Sequence, residues 1–143
     1  MPHHYRIGLA IIGITLSMGS AVGQADVVAV VSAQSATTSL SKNEVADIFL
    51  GKTSRFPDGQ AVIPIDQAES TPLRDEFYVK FTGKSPAQLR AHWSKIIFTG
   101  RGQPPPVVLN SIEMKKRIAA NPAAIGYIER TMVDSSVKIL AQP

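Results

Sequence analysis

The side chains in this sequence best suited to chemistry are Ser70, Thr71 and Arg74, with Asp66 just upstream. Their types and spacing suit the holding of a small anion. Hydroxyls donate hydrogen bonds, and a guanidinium offers a charged fork matched to carboxylate or phosphate oxygens. Ser70 or Thr71 stands at the cap position of an expected helix, and Pro72 fits its first turn, where a missing N–H costs nothing. A helix start leaves backbone N–H groups unpaired and carries partial positive charge, so it is a natural anion seat. Arg74, one turn in, reaches that seat if its side chain folds back toward the N-terminus, the usual helical direction. Glu69 beside the seat opposes an anion. The plainer alternative is that Ser70 or Thr71 only caps the helix, and caps are far commoner than ligand sites.

Short elements on either side must position these groups. Val62, Ile63 and Ile65 form an apolar run ending at Asp66, read as a strand that Pro64 demotes toward an edge or a bulge. Leu73, Phe77 and Phe81 recur at four-residue steps and give the following helix one apolar face. Upstream, residues 27–31 read VVAVV, a β-branched run expected of a central strand covered on both faces. Ser41 and Glu44 form a capping box, Val45, Ile48 and Phe49 a helical stripe, and Gly51 a C-terminal stop. Residues 55–59, RFPDG, are a turn signal.

Downstream, Gly83 ends the second helix and Ser85-Pro86 starts a third. Leu89, Trp93, Ile96 and Ile97 give that helix a stripe with Trp93 in the core, and His92 lies beside it toward the surface. Val107 to Leu109 reads as a short strand, and Asn110 or Ser111 caps a fourth helix that Asn121-Pro122 ends. Ala124 to Ile128 is a strand in which Gly126 marks a close backbone approach, and Val137 to Leu140 is the last strand.

Strands thus alternate with helices. The expected fold class is α/β: a three-layer sandwich with a mainly parallel sheet and helices on both faces. Ligands in such sheets sit beyond the carboxyl ends of strands, which places the Asp66–Ser70 loop there and, by the same reading, Ser32–Ser35 and Gly100–Gln103.

Composition narrows the function classes. With 143 residues, one domain is the default. His3, His4 and Arg6, an uncharged apolar run from Ile7, and small residues up to Ala25 read as a secretory signal over residues 1–25, cleaved after Ala25 or Gly23. The alternative is an uncleaved anchor, although the run is short for a membrane span. After cleavage, residues 26–143 are expected to form a single exported domain with no stable membrane insertion. The chain has no cysteine, so its core must hold without disulfides. The formal charge is +4, but Lys and Arg are scattered and not interleaved with aromatics, which argues against nucleic acid. Residues 26–143 contain His92 alone among histidines and no metal-type spacing, so neither an enzyme, a cofactor nor a metal is expected.

Three pieces carry a resemblance: residues 46–52, ADIFLGK; Ser70 with the helix after it; and residues 124–127, AIGY. In order and spacing they resemble the periplasmic phosphate-binding proteins of ABC transporters, over essentially all of residues 26–143. They resemble in particular the short exported bacterial proteins described as phosphate ABC transporter substrate-binding proteins. The resemblance implies one lobe of a type 2 periplasmic-binding protein. It also implies a serine-glycine-threonine run that holds phosphate oxygens, with an arginine nearby. Ser70 matches the serine, Thr71 and Pro72 stand where the glycine and threonine would be, and Asp66 stands near the place of the arginine. Arg74 is then the alternative source of positive charge. The expected ligand residues are Asp66, Ser70, Thr71 and Arg74, and the expected ligand is phosphate or a similar oxyanion. The alternative function is a periplasmic interaction module that kept the lobe and lost the ligand. In either case a single lobe exposes what is normally a cleft wall, so a protein partner or a homodimer is expected.

Overall fold

The computed structural model describes residues 26–143, and the signal expected over residues 1–25 lies outside the described residues. The chain order is β1 (Val27–Ser32), α1 (Lys42–Phe49), β2 (Ile63–Pro64), β3 (Asp66–Gln67), α2 (Pro72–Thr82), α3 (Pro86–Phe98), β4 (Val107–Val108), α4 (Ser111–Ala120), β5 (Ala124–Glu129) and β6 (Val137–Ala141). The main sheet has the order β2-β5-β1-β6, and β3 and β4 form a separate two-stranded sheet.

The alternation of side chains along β1 builds the two halves of the core. Val27, Ala29 and Val31 face one cluster with Phe49, Phe77, Phe81, Leu89 and Trp93 of α1, α2 and α3. Val28 and Val30 face a second cluster with Met114 and Ile118 of α4. Every residue of β1 is buried, which is why Val27–Val31 is an unbroken apolar run. The layers are therefore helices, sheet, helix, and the α/β expectation holds.

The sheet is mixed, not mainly parallel. β1 runs antiparallel to both of its neighbours, β5 and β6. Parallel pairing is confined to β2 with β5 and to β3 with β4, where intervening helices return the chain. Helix–strand alternation predicts parallel strands only between sequential neighbours, and here β1 pairs with the two strands most distant from it in sequence. Residues 130–136 then cross back from β5 to β6 on the α4 side, with Met132 and Val133 packed against that cluster.

This arrangement separates two loops expected to lie together. Val31 pairs with Ile125 near the start of β5, while β2 runs parallel to β5. The Ser32–Ser35 turn is therefore at the opposite end of the sheet from Asp66, and it takes no part in a site there.

The expected strand ending at Asp66 is two pieces that belong to different sheets. Ile63 and Ile65 donate to Ala123 and Ile125 at the edge of the main sheet, each at 2.9 Å. Pro64, which has no N–H to donate, sits in this edge strand, where proline is tolerated. Asp66 N–H then turns to Pro106 at 2.8 Å, and Ala68 N–H to Val108 at 3.0 Å. The switch of sheets carries Asp66 under the start of α2. Gly126 is the other special position: a Cβ there would lie 2.4 Å from Met114 Sδ and 3.0 Å from Ile118 Cδ1. Glycine at that point allows α4 to lie close on the sheet.

Candidate functional site

Asp66 is 2% exposed, and its carboxylate is enclosed by donors. Oδ1 accepts from the Gln67 N–H at 2.8 Å and the Tyr127 hydroxyl at 2.5 Å. Oδ2 accepts from the Tyr78 hydroxyl at 2.7 Å and from Arg74 Nε at 3.3 Å. Four donors on two oxygens leave little unmet acceptor capacity.

Each donor is placed by its element. Arg74 and Tyr78 are one turn apart on α2, with the guanidinium 5.2 Å from the centre of the Tyr78 ring. Tyr127 stands on β5 beside Ile125 of the same face, and its ring stacks on Phe77 at 4.0 Å and 6°. Gln67 anchors the network to α4 through Nε2, which donates to Ser111 Oγ and to the Tyr127 carbonyl, both at 3.0 Å. Burial and the neighbouring Asp66 carboxylate push the Tyr78 and Tyr127 phenols well above the usual range, which holds both as donors. Burial pulls the Arg74 guanidinium down, but the Asp66 charge and the two phenols more than offset this, and its pKa is raised.

The four sequence candidates thus fall into two pairs. Asp66 and Arg74 are joined in a buried ion pair, with side chains 3% and 11% exposed. Ser70 and Thr71 lie on the turn before α2 and make no hydrogen bond to either. Thr71 occupies the cap position, but its side chain makes no capping bond, and its Oγ1 donates instead to the Ala68 carbonyl at 2.5 Å. Ser70 is exposed and does not cap the helix either. The capping alternative is therefore corrected: backbone and proline start α2, without a side-chain oxygen. The Ser70 hydroxyl is left free of structural duty. Only Arg74 Nε is engaged with Asp66, and no hydrogen bond from its two Nη groups occurs among the described residues.

Sequence reasoning missed Gln67, Tyr78 and Tyr127. Two signals pointed to them. Tyr78 is four residues from Arg74, the spacing of facing helical side chains. Tyr127 alternates with Ile125 on the buried face of its strand.

Beside this network an open groove of about 970 Å3 lies between α2 and α4. Its apolar lining includes Leu73, Val79, Ile112 and Met132. Its charged lining is mostly acidic. Glu76 is neutralised by Lys80 at 2.6 Å, but Asp75 and Glu129 have no cationic partner among the described residues. Glu129 Oε2 is buried without a hydrogen-bond donor.

A two-sided sheet under helices, with a polar cluster at the start of one of them, defines the class: the chain has the α/β fold of substrate-binding proteins. In particular, it matches solved structures of phosphate ABC transporter proteins over about four-fifths of its length. One, from Clostridium perfringens and solved with bound phosphate, is described as a phosphate ABC transporter substrate-binding protein. It has a TM-score of 0.64 at 20% identity, over 81% of this chain and 44% of that one. An ABC-type phosphate transport receptor from Vibrio cholerae has a TM-score of 0.63 at 21% identity, over 81% and 45%. PstS from Borrelia burgdorferi has a TM-score of 0.59 at 16% identity, over 82% and 47%. The chain spans less than half the length of these structures. At such identities the likeness establishes the fold. No protein-family profile matches the chain, and no curated protein matches it.

Proposed function

We propose that residues 26–143 form an exported, periplasmic binding module that takes a small oxyanion of the phosphate class at the N-terminal end of α2. The observation that carries this reading is the state of Arg74. Asp66 holds the guanidinium through Nε, and no hydrogen bond from the Nη groups occurs among the described residues. The Ser70 hydroxyl, exposed and unused as a cap, and the first-turn N–H groups complete the donor set. The fold shared with a phosphate-bound structure supports the same ligand class. Asp66 cancels much of the charge of Arg74, so recognition falls mainly to hydrogen bonds and the helix start. Calorimetric titration with phosphate and sulfate tests the reading: saturable binding of either anion supports it, and no heat from both overturns it. Export is tested separately by mass spectrometry of the periplasmic fraction, with an N-terminus expected at Asp26 or Gln24.

A second reading is a periplasmic interaction module without a small ligand. It is favoured by the saturation of the Asp66 carboxylate, which already acts as an internal anion for Arg74, Tyr78 and Tyr127.

A further inference from the structure

Phe98, the last residue of α3, is 92% exposed, and Ile97 beside it is 47% exposed. The helix buries Leu89 and Trp93 on its inner face, and Phe98 lies five positions beyond Trp93, which turns it well away from that face. A benzyl group left in water at this level is an anchor without a socket. Cations flank it: Lys95 is one turn back and Arg101 three residues on, both exposed and neither paired with a carboxylate among the described residues.

The groove between α2 and α4 has the opposite character. It offers Leu73, Val79, Ile112 and Met132 to an apolar group, and Asp75 and Glu129 to cations. Neither carboxylate has a cationic partner among the described residues. Anchor and groove are complementary in both polarity and charge, and both belong to this chain.

We propose that a second copy of the chain docks here, seating its Phe98 between α2 and α4 with Lys95 and Arg101 toward Asp75 and Glu129. The two halves are different surfaces. Copies that exchange anchors about a two-fold axis form an isologous dimer, and copies that continue head to tail make a heterologous contact. The groove borders the start of α2 at Thr71 and Pro72. Phe98, Lys95, Arg101 and Ile112 belong to neither the Asp66 network nor the anion seat, so variants at these positions test association apart from the anion titration.

Sedimentation velocity on the protein produced from the full chain tests this, with two variants at exposed positions. Phe98→Asp removes the anchor and keeps the groove. Ile112→Lys adds a cation to the groove and keeps the anchor. The wild-type protein is expected to self-associate as concentration rises, and each variant alone to associate about tenfold more weakly or less. Circular dichroism should show both variants folded. An equimolar mixture is expected to recover a one-to-one complex, because it holds one intact groove and one intact anchor. A wild-type protein that stays monomeric overturns the proposal, including the case in which the groove instead takes a basic, apolar segment of another protein. So does a mixture that recovers nothing.

Discussion

Arg74 Nε lies 3.3 Å from Asp66 Oδ2, and this contact decides how much positive charge α2 can offer to a ligand. The pair is close to neutral as a unit. What remains for recognition is a guanidinium held by one edge, together with the N–H groups that a helix start leaves unpaired.

The pair and its two phenols should act as one unit in stability. Asp66→Ala leaves Arg74 and both tyrosine hydroxyls without their acceptor, while the Gln67 N–H keeps only the Tyr127 hydroxyl oxygen at 3.1 Å. The expected loss is about 3–5 kcal/mol, the scale of breaking a buried ion pair by removing one partner. Tyr127→Phe removes one donor to a charged acceptor and should lose about 1.5–3 kcal/mol. Urea unfolding measures both, and a loss on the order of a surface change, about 0.5 kcal/mol, in both variants would show the network is not closed in solution.

The same network fixes the alkaline limit. The folded pKa values of Tyr78 and Tyr127 are raised above the ordinary value near 10. A raised pKa means the folded state keeps a proton that the unfolded chain releases. That stability is fully present below about pH 10 and falls as pH rises through the folded values. The urea midpoint should therefore drop from about pH 10 upward, less steeply in Tyr127→Phe, and phenolate absorbance from these residues should appear only as the protein unfolds. Phenolate formation in the folded protein near pH 10 would contradict the account.

Gly126 separates close approach from mere turn propensity. Gly126→Ala would put a methyl carbon 2.4 Å from Met114 Sδ, so the α4 side chains must shift. The expected destabilisation is about 1–3 kcal/mol, and shortening the opposing side chain with Met114→Ala should relieve part of it, a coupling that a double-mutant cycle measures.

Local signals in the sequence were legible, and distant ones were not. The Ser41–Glu44 capping box and the Ser85-Pro86 helix start formed as read, because each is decided within a few residues. Of the expected stripe, Leu89 and Trp93 are buried and Ile96 is partly buried, but Ile97 is 47% exposed. Trp93 is 7% exposed, and Trp93→Ala should lose roughly 3–5 kcal/mol by thermal or urea unfolding. The antiparallel neighbours of β1 were not legible, since they join residues at the two ends of the chain. The closure of the candidate site was missed for the same reason. The Tyr127 hydroxyl that binds Asp66 lies 61 positions away, and nothing in a local pattern of alternation says that its ring will stack on Phe77 and point its oxygen at a carboxylate.

Ser70 gives the most direct measurement. It is exposed and caps nothing, so Ser70→Ala should leave the urea midpoint unchanged while removing a donor from the proposed seat. Calorimetric titration with phosphate should show saturable binding to the wild-type protein and an affinity weaker by about 1.5–3 kcal/mol in Ser70→Ala. Glu69→Gln, which removes a negative charge beside the seat, should bind more tightly than wild type. Equal affinity in all three proteins, or no phosphate heat in the wild-type protein, would contradict an oxyanion seat at the start of α2.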